Sequence, residues 1–184
     1  DESFRERIIR KLSAKEIAEE IEELDTDDAA DLVGELPEIL QEKVLSKIED
    51  TEHSQDIREL LNYEEGTAGA LMAKELVSVN ENLSVINCVR EMRKQAKEVT
   101  RVHSIYVINS KNKLLGRLSL KDLLTASTNS KVKNIYIPNV DFVNVNEDVN
   151  EVANIMSKYD LEAIPVVDDK KQLLGRITID DVLD

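Results

Sequence analysis

The chain reads as an α+β protein: an N-terminal bundle or superhelix of short helices, followed by a tandem pair of βαββα units. Three observations predict this. Residues 114–124, LLGRLSLKDLL, return at 173–183 as LLGRITIDDVL, with six identical positions, four similar ones and one charge reversal, Lys121 against Asp180. The offset is 59 from Ile105 against Ile164 onward, but 66 where Val77-Ser-Val-Asn-Glu meets Val143-Asn-Val-Asn-Glu, so the first copy holds a seven-residue insertion between Val85 and Ile105. A repeat at fixed offset decides the architecture before any single element does. Upstream of residue 62, apolar residues instead recur at helical spacing in short segments with helix-start signals.

In chain order, residues 4–12 predict a short amphipathic helix. Ser13-Ala-Lys-Glu16 is a capping box that opens a helix with Ile17, Ile21 and Leu24 on one face. Asp25-Thr-Asp-Asp opens the next, with Ala29, Leu32, Val33 and Leu36 inward. Pro37 is expected at the first position of a third helix, 37–48, and residues 51–61 form a fourth around Ile57, Leu60 and Leu61. Helices this short are marginal alone in water and must pack on one another.

Residues 62–72 contain Gly66 and Gly69 and read as a linker. In the first βαββα unit, residues 76–79 are a short strand and Asn82-Leu-Ser-Val starts a helix with Leu83, Ile86, Val89, Met92 and Ala96 near one face. Residues 105–108 are a continuous apolar run suited to a strand buried on both faces. After the polar turn Ser110-Lys-Asn-Lys, Gly116 interrupts the strand of Leu114, Leu115 and Leu118, and a glycine there is expected to mark close approach to the backbone by some other group. Ser119 caps the last helix, with Asp122 in its first turn. The second unit repeats this at 140–145, 149–156, 163–167 and 173–177, with Thr178 as the cap. A unit of about 50 residues buries too little surface to stand alone, so two must share a core. The expected divisions are 1–62, 63–72, 73–131 and 132–184.

Charge is unevenly spread. The net is −14 overall, −12 over residues 1–62, +6 over 73–131 and −7 over 140–184. Acidic surfaces of this kind disfavour nucleic acid and favour cations or basic partners. Tryptophan is absent, no run reaches the length of a membrane span, and the single cysteine, Cys88, has no internal disulfide partner and suits a small buried hydrophobe. His53 and His103 have no nucleophile beside them, and no P-loop or zinc spacing occurs, so no enzyme is predicted. His103 precedes a buried strand and is expected to be hydrogen-bonded there.

The βαββα order, the strands ending in Asn109 and Asp168, and the twice-used signature Gly116, Ser119, Asp122 and Gly175, Thr178, Asp181 resemble a CBS-domain pair from about Met72 to Asp184. Adding the acidic helices with LDTDDAADLVGELP and the junction YEEGTAGALM, the order of modules resembles the cytosolic region of the MgtE family of magnesium transporter-channels. In that family a connecting helix and a membrane pore follow. The resemblance therefore implies a soluble fragment from the cytoplasmic face of a membrane protein, partnered by its own pore domain and dimeric through the CBS units.

Two acidic sets stand out. Asp27, Asp28 and Asp31 share a helical face, and Asp180, Asp181 and Asp184 share another. A charged pair at about 5 Å costs roughly 3 kcal/mol at an effective dielectric of about 20, less in water and salt. Taken singly, such acids also suit helix N-termini and solvated faces. The resemblance implies that Mg2+ bridges the helical domain and the CBS pair, with ligand roles for Asp27, Asp31, Asp160, Asp181 and Asp184 and with Asp28 and Asp180 beside them. Mg2+ fits, because it binds carboxylate oxygen while keeping several waters. The rival reading is a nucleotide-sensing CBS module of another transporter or an enzyme, with ATP or another adenosine nucleotide held by Ser119, Lys121, Asp122 and Thr178. Ser104, Lys121 and Leu161 stand where ATP-binding relatives use an aromatic, an arginine and a second aromatic, which argues against adenine stacking here.

Overall fold

The computed structural model describes residues 12–183; the helix expected at 4–12 lies, but for Leu12, outside them, as does Asp184. The chain divides into two units between Glu65 and Gly66.

The first unit holds α1 (Ala14–Glu22), α2 (Thr26–Gly34), α3 (Glu38–Ser46) and α4 (Thr51–Leu61). The capping box is made: the Glu16 amide donates to Ser13 Oγ and the Ser13 amide to Glu16 Oε1. Pro37, expected at the first helical position, is instead the N-cap of α3, which starts one residue later at Glu38, and φ of −54° suits its ring there. Ile17, Ile21, Ala29, Val33, Val44 and Ile57 are wholly buried and form the core the periodicity predicts. One buried polar group is satisfied inside it, Ser54 Oγ donating to Leu45 O at 2.9 Å. Arg58 and Glu42 form a bidentate pair on the exposed surface, where such pairs add little.

The second unit begins with α5 (Ala68–Leu71). Two βαββα modules follow: β1 (Val77–Asn80), α6 (Val85–Ala96), β2 (Ile105–Ile108), β3 (Leu114–Leu118) and α7 (Leu120–Thr125), then β4 (Val143–Asn144), α8 (Val149–Lys158), β5 (Ala163–Val167), β6 (Leu173–Thr178) and α9 (Ile179–Leu183). Each sheet has three strands, the outer two flanking the middle one, parallel on one side and antiparallel on the other. Both antiparallel pairs carry a register shift at equivalent places, Val107/Ile108 and Val166/Val167. The two strand-end turns also match. Asn109 Oδ1 accepts from Lys111 N and Lys113 N, and Asp168 Oδ1 from Lys170 N and Gln172 N, with Asn112 and Lys171 both left-handed.

Two details differ from the periodicity. Ser84, not Asn82, caps α6 by accepting from the Asn87 amide, so the helix starts at Val85. That turns Val85 and Cys88 into the core with Val89 and Met92 packed beside them, and leaves Ile86 45% exposed. The strand expected at 140–145 pairs only at Val143–Asn144.

The modules are joined by exchange. Arg117 and Ile137 trade both backbone hydrogen bonds, as do Arg176 and Ala73. Thus the segment leading into the second module completes the first sheet, and the segment leading into the first completes the second. The supposed linker is accordingly built into the fold: the amides of Ala68 and Gly69 donate to Glu147 O and Val145 O, and both residues are buried. Glycines make the exchange possible. A Cβ on Gly116 would overlap Ile137 O and lie 2.7 Å from Tyr136 Cδ2; one on Gly175 would lie 2.5 Å from Ala73 O and 2.8 Å from Met72 Sδ. Between the sheets, Leu114 N donates to Lys171 O and Leu173 N to Asn112 O, over a shared core of Tyr106, Leu114, Val167 and Leu173.

Three outcomes are expected. Gly116→Ala or Gly175→Ala will lower unfolding stability in urea by about 2 kcal/mol or more, since backbone must move. Gly34→Ala, whose Cβ would meet only Leu61 Cδ2 at 3.6 Å, will raise it by about 0.5–1 kcal/mol. Burial pushes the Cys88 thiol up to about 11, so alkylation at pH 8 will be slow in the folded chain and fast in denaturant.

Candidate metal and nucleotide sites

The acids of α2 face away from the core. Thr26, Ala29, Ala30 and Val33 are buried, while Asp27 is half-buried and Asp28 and Asp31 are exposed. Asp27 Oδ1 accepts from the Asp28 amide at 2.9 Å, and none of the three lacks an interaction partner.

In the second CBS-like module the acids come from two helix ends. Asp160 is exposed in the left-handed region, φ 53°, just past α8, and the Leu161 amide closes that helix end on Met156 O. A groove beside it is lined by Asn154, Ser157, Asp160 and Glu162 on one side and by Val182 and Leu183 of α9 on the other. Asp180 is exposed. Asp181 is half-buried and tied down, its Oδ2 accepting from the Thr178 amide at 3.0 Å and the Thr178 hydroxyl at 2.8 Å. Among the described residues no three histidine, cysteine or acidic groups converge into a metal cage.

The two signatures use their polar residues in opposite senses. Ser119 Oγ accepts from the Asp122 amide at 3.0 Å, an ordinary N-cap, whereas the Thr178 hydroxyl donates to Asp181. Lys121 is exposed on α7. Both carboxylates stand in the first turn of their helices.

Two further polar groups stand in or just before β2. His103, expected to be hydrogen-bonded, has a buried Nδ1 with no partner, and Tyr106 Oη is likewise buried without one. The reason is packing: Tyr106 points from β2 into an apolar core of leucines and valine, where acceptors are scarce. Burial pushes its phenol up to about 12, with Ser104 and Arg176 pulling the other way. Burial, then the charges of Arg176 and Arg101, hold His103 below the usual imidazole value, against Glu162 and Asp180. Arg176 itself is buried. The repeat could not announce this, because its twin Arg117 occupies the same place in LLGR yet is exposed.

No helix among the described residues is long and apolar enough to cross a membrane. The family described as the MgtE intracellular N domain matches residues 1–66, and the CBS domain matches 68–129 and 132–184. The magnesium transporter MgtE of Thermus thermophilus is 40% identical over 129 residues, covering 70% of this chain and 29% of that protein. That of Bacillus subtilis is 30% identical over all 184 residues, 41% of its own length. The chain thus spans less than half of these curated relatives. Among solved structures, the soluble part of a magnesium transporter superposes with a TM-score of 0.89 at 33% identity, covering 98% of this chain and 70% of that one. The cytosolic domain of the Mg2+ channel MgtE in complex with ATP gives 0.87 at 36% identity, covering 100% and 74%. With both modules matched in the same order and along nearly the whole chain, this protein belongs to the MgtE family of magnesium transporters and represents its cytosolic helical domain and CBS pair.

Proposed function

We propose that this region senses Mg2+ and controls the membrane pore of its transporter. The observation that supports this best is that both units carry solvent-facing carboxylates. Asp27, Asp28 and Asp31 project from one unit and Asp160, Asp180 and Asp181 from the other, with Asp184 following, yet neither set converges into a cage among the described residues. Mg2+ suits such a shared arrangement, since one or two carboxylates and retained water complete its octahedron. When Mg2+ is high, ions neutralise facing carboxylates, the helical domain docks on the CBS pair and the pore is held shut. When Mg2+ is low, like charges push the faces apart. An ion at ten times its dissociation constant adds about 1.4 kcal/mol per site, so a few weak sites suffice to reverse a modest electrostatic preference.

The regulatory unit in this reading is a homodimer through the CBS helices. Leu120, Leu124 and Leu183 on α7 and α9 are at least 62% exposed, an apolar presentation that a second copy would cover. A nucleotide is the second ligand considered, because a similar cytosolic domain is described in complex with ATP. Here Ser119, Asp122 and Thr178 would meet ribose hydroxyls and Lys121 the phosphates, without aromatic stacking from Ser104 or Leu161.

Small-angle scattering on the chain tests the main reading. The radius of gyration will fall as Mg2+ is titrated, and the Asp27→Asn, Asp31→Asn, Asp181→Asn triple variant will not compact; an unchanged wild-type radius, or equal compaction of the variant, contradicts docking by Mg2+. For the nucleotide, calorimetry will give ATP binding that Asp122→Asn weakens by about tenfold or more, and no heat with wild type removes that ligand.

A further inference from the structure

Two helices carry stripes of opposite charge with the same spacing. On α6, Arg90, Arg93, Lys94 and Lys97 stand at i, i+3, i+4 and i+7, all exposed and turned away from the buried Val85 and Cys88. On α1 and its C-cap, Glu16, Glu19, Glu20 and Glu23 repeat that spacing, again all exposed and turned away from the buried Ile17 and Ile21. The pattern reads the same in both directions, so the stripes match whether the helices lie parallel or antiparallel.

Neither stripe serves its own helix. Like charges three and four residues apart destabilise a helix. The acids of α1 crowd its C-terminal half, where the macrodipole disfavours them, and no basic residue stands in its last turn. Arg93 and Lys94 suit the last turn of α6, but Arg90 precedes that turn. Local partners do not relieve the crowding. Arg90 reaches Asn87 Oδ1 at 3.4 Å and Glu16 closes the capping box at Ser13, yet no member of either stripe forms an ion pair among the described residues. Glu91, the one acid inside α6, accepts from Gln95 Nε2 at 2.9 Å. The repeat shows that the fold does not require the basic stripe. Aligned on the N-caps Ser84 and Asp148, α8 places Asn154, Ser157, Lys158 and Leu161 at these positions, one cation where α6 has four.

We propose that the glutamate stripe of α1 in one copy docks on the basic stripe of α6 in a second copy. Charge complementarity selects this occupant, since residues 1–62 carry −12 and residues 73–131 carry +6. Continuity with an apolar surface favours a second copy. α6 and α7 pack on one core that includes Val85, Cys88 and Leu123, and the Ile86 amide donates to Thr128 O just past α7. Ile86, one turn before Arg90, is 45% exposed and adds to the exposed Leu120 and Leu124 of the same helical layer. Under twofold symmetry each chain gives one α1 and one α6, so the contact forms twice and closes. The proposal rests on the homodimer of the preceding reading but not on its Mg2+ docking.

The test is carbodiimide coupling, which joins lysine amines directly to carboxylates in contact. It uses the whole chain in EDTA at low salt, as an equal mixture of ordinary and isotopically heavy protein. Peptides joining Lys94 or Lys97 to Glu16, Glu19, Glu20 or Glu23 will form and will include mixed light–heavy pairs. Sodium chloride at about 0.5 M will reduce them several-fold, because it screens exposed charges. Arg90→Glu with Arg93→Glu will cut the mixed links about tenfold, and Lys158→Glu will leave them unchanged. Adding Glu19→Lys and Glu20→Lys to the two arginine reversals will restore the links, a rescue that general loss of stability does not give. No links, links of one isotope only, or links indifferent to the reversals overturn the proposal. Binding to phosphatidylserine vesicles that the arginine reversals abolish, without mixed links, assigns the stripe to a lipid surface and overturns it as well. Sedimentation of the same samples separates this contact from the preceding reading. A dimer without mixed links keeps the homodimer and overturns the contact of α1 with α6; a monomer overturns both.

Discussion

Everything in the CBS pair depends on one exchange of backbone: Ile137 pairs with Arg117 and Ala73 with Arg176, each segment completing the sheet of the other module. A three-stranded sheet of this size leaves an unpaired edge and little buried area. Reciprocal completion removes both problems at once. It also explains why glycine recurs at 116 and 175, where the exchanged strand passes too close for any side chain. The shared core of Tyr106, Leu114, Val167 and Leu173 then makes the two modules one body.

A rigid body of this kind is a suitable platform for regulation, because ligands at its surface need not order it first. The acids at Asp160, Asp180 and Asp181 sit at helix ends on that platform, and those at Asp27, Asp28 and Asp31 sit on a separately folded helical bundle. The proposed switch draws on this division: in it, carboxylates on the two units repel when bare and are held together by a divalent ion.

The repeat made much of this legible. The offsets of 66 and 59 located the strands of both sheets and the glycines at 116 and 175, and the capping box at Ser13 and the N-cap at Ser119 follow from short-range chemistry, whereas the cap at Ser84 was not read. What periodicity missed depends on tertiary context. Ile86 lies at a core-like spacing, but the cap one residue pair later rotates the helix and exposes it. Residues 66–72 look like a linker because Gly66 and Gly69 break helical pattern; only the partners at Val145 and Glu147 reveal them as part of the second sheet's surroundings. Arg176 was invisible for the opposite reason: an identical residue at 117 is exposed, so identity in a repeat says nothing about burial. The acidic positions were readable as helical faces, Asp27, Asp28 and Asp31 on one helix and Asp180 and Asp181 on another.

The exchange of edges makes a sharp kinetic demand. If each sheet is completed by the other module's leading segment, neither can open without the other. Native-state hydrogen exchange of the whole chain measures this at the amides of Ala73, Arg117, Ile137 and Arg176, all donors in the exchanged pairs. The account predicts that the four exchange through one opening, with free energies within about 1 kcal/mol of each other and of global unfolding of the pair. Exchange of one sheet's amides at a free energy lower by several kcal/mol, with the other sheet still protected, would contradict it.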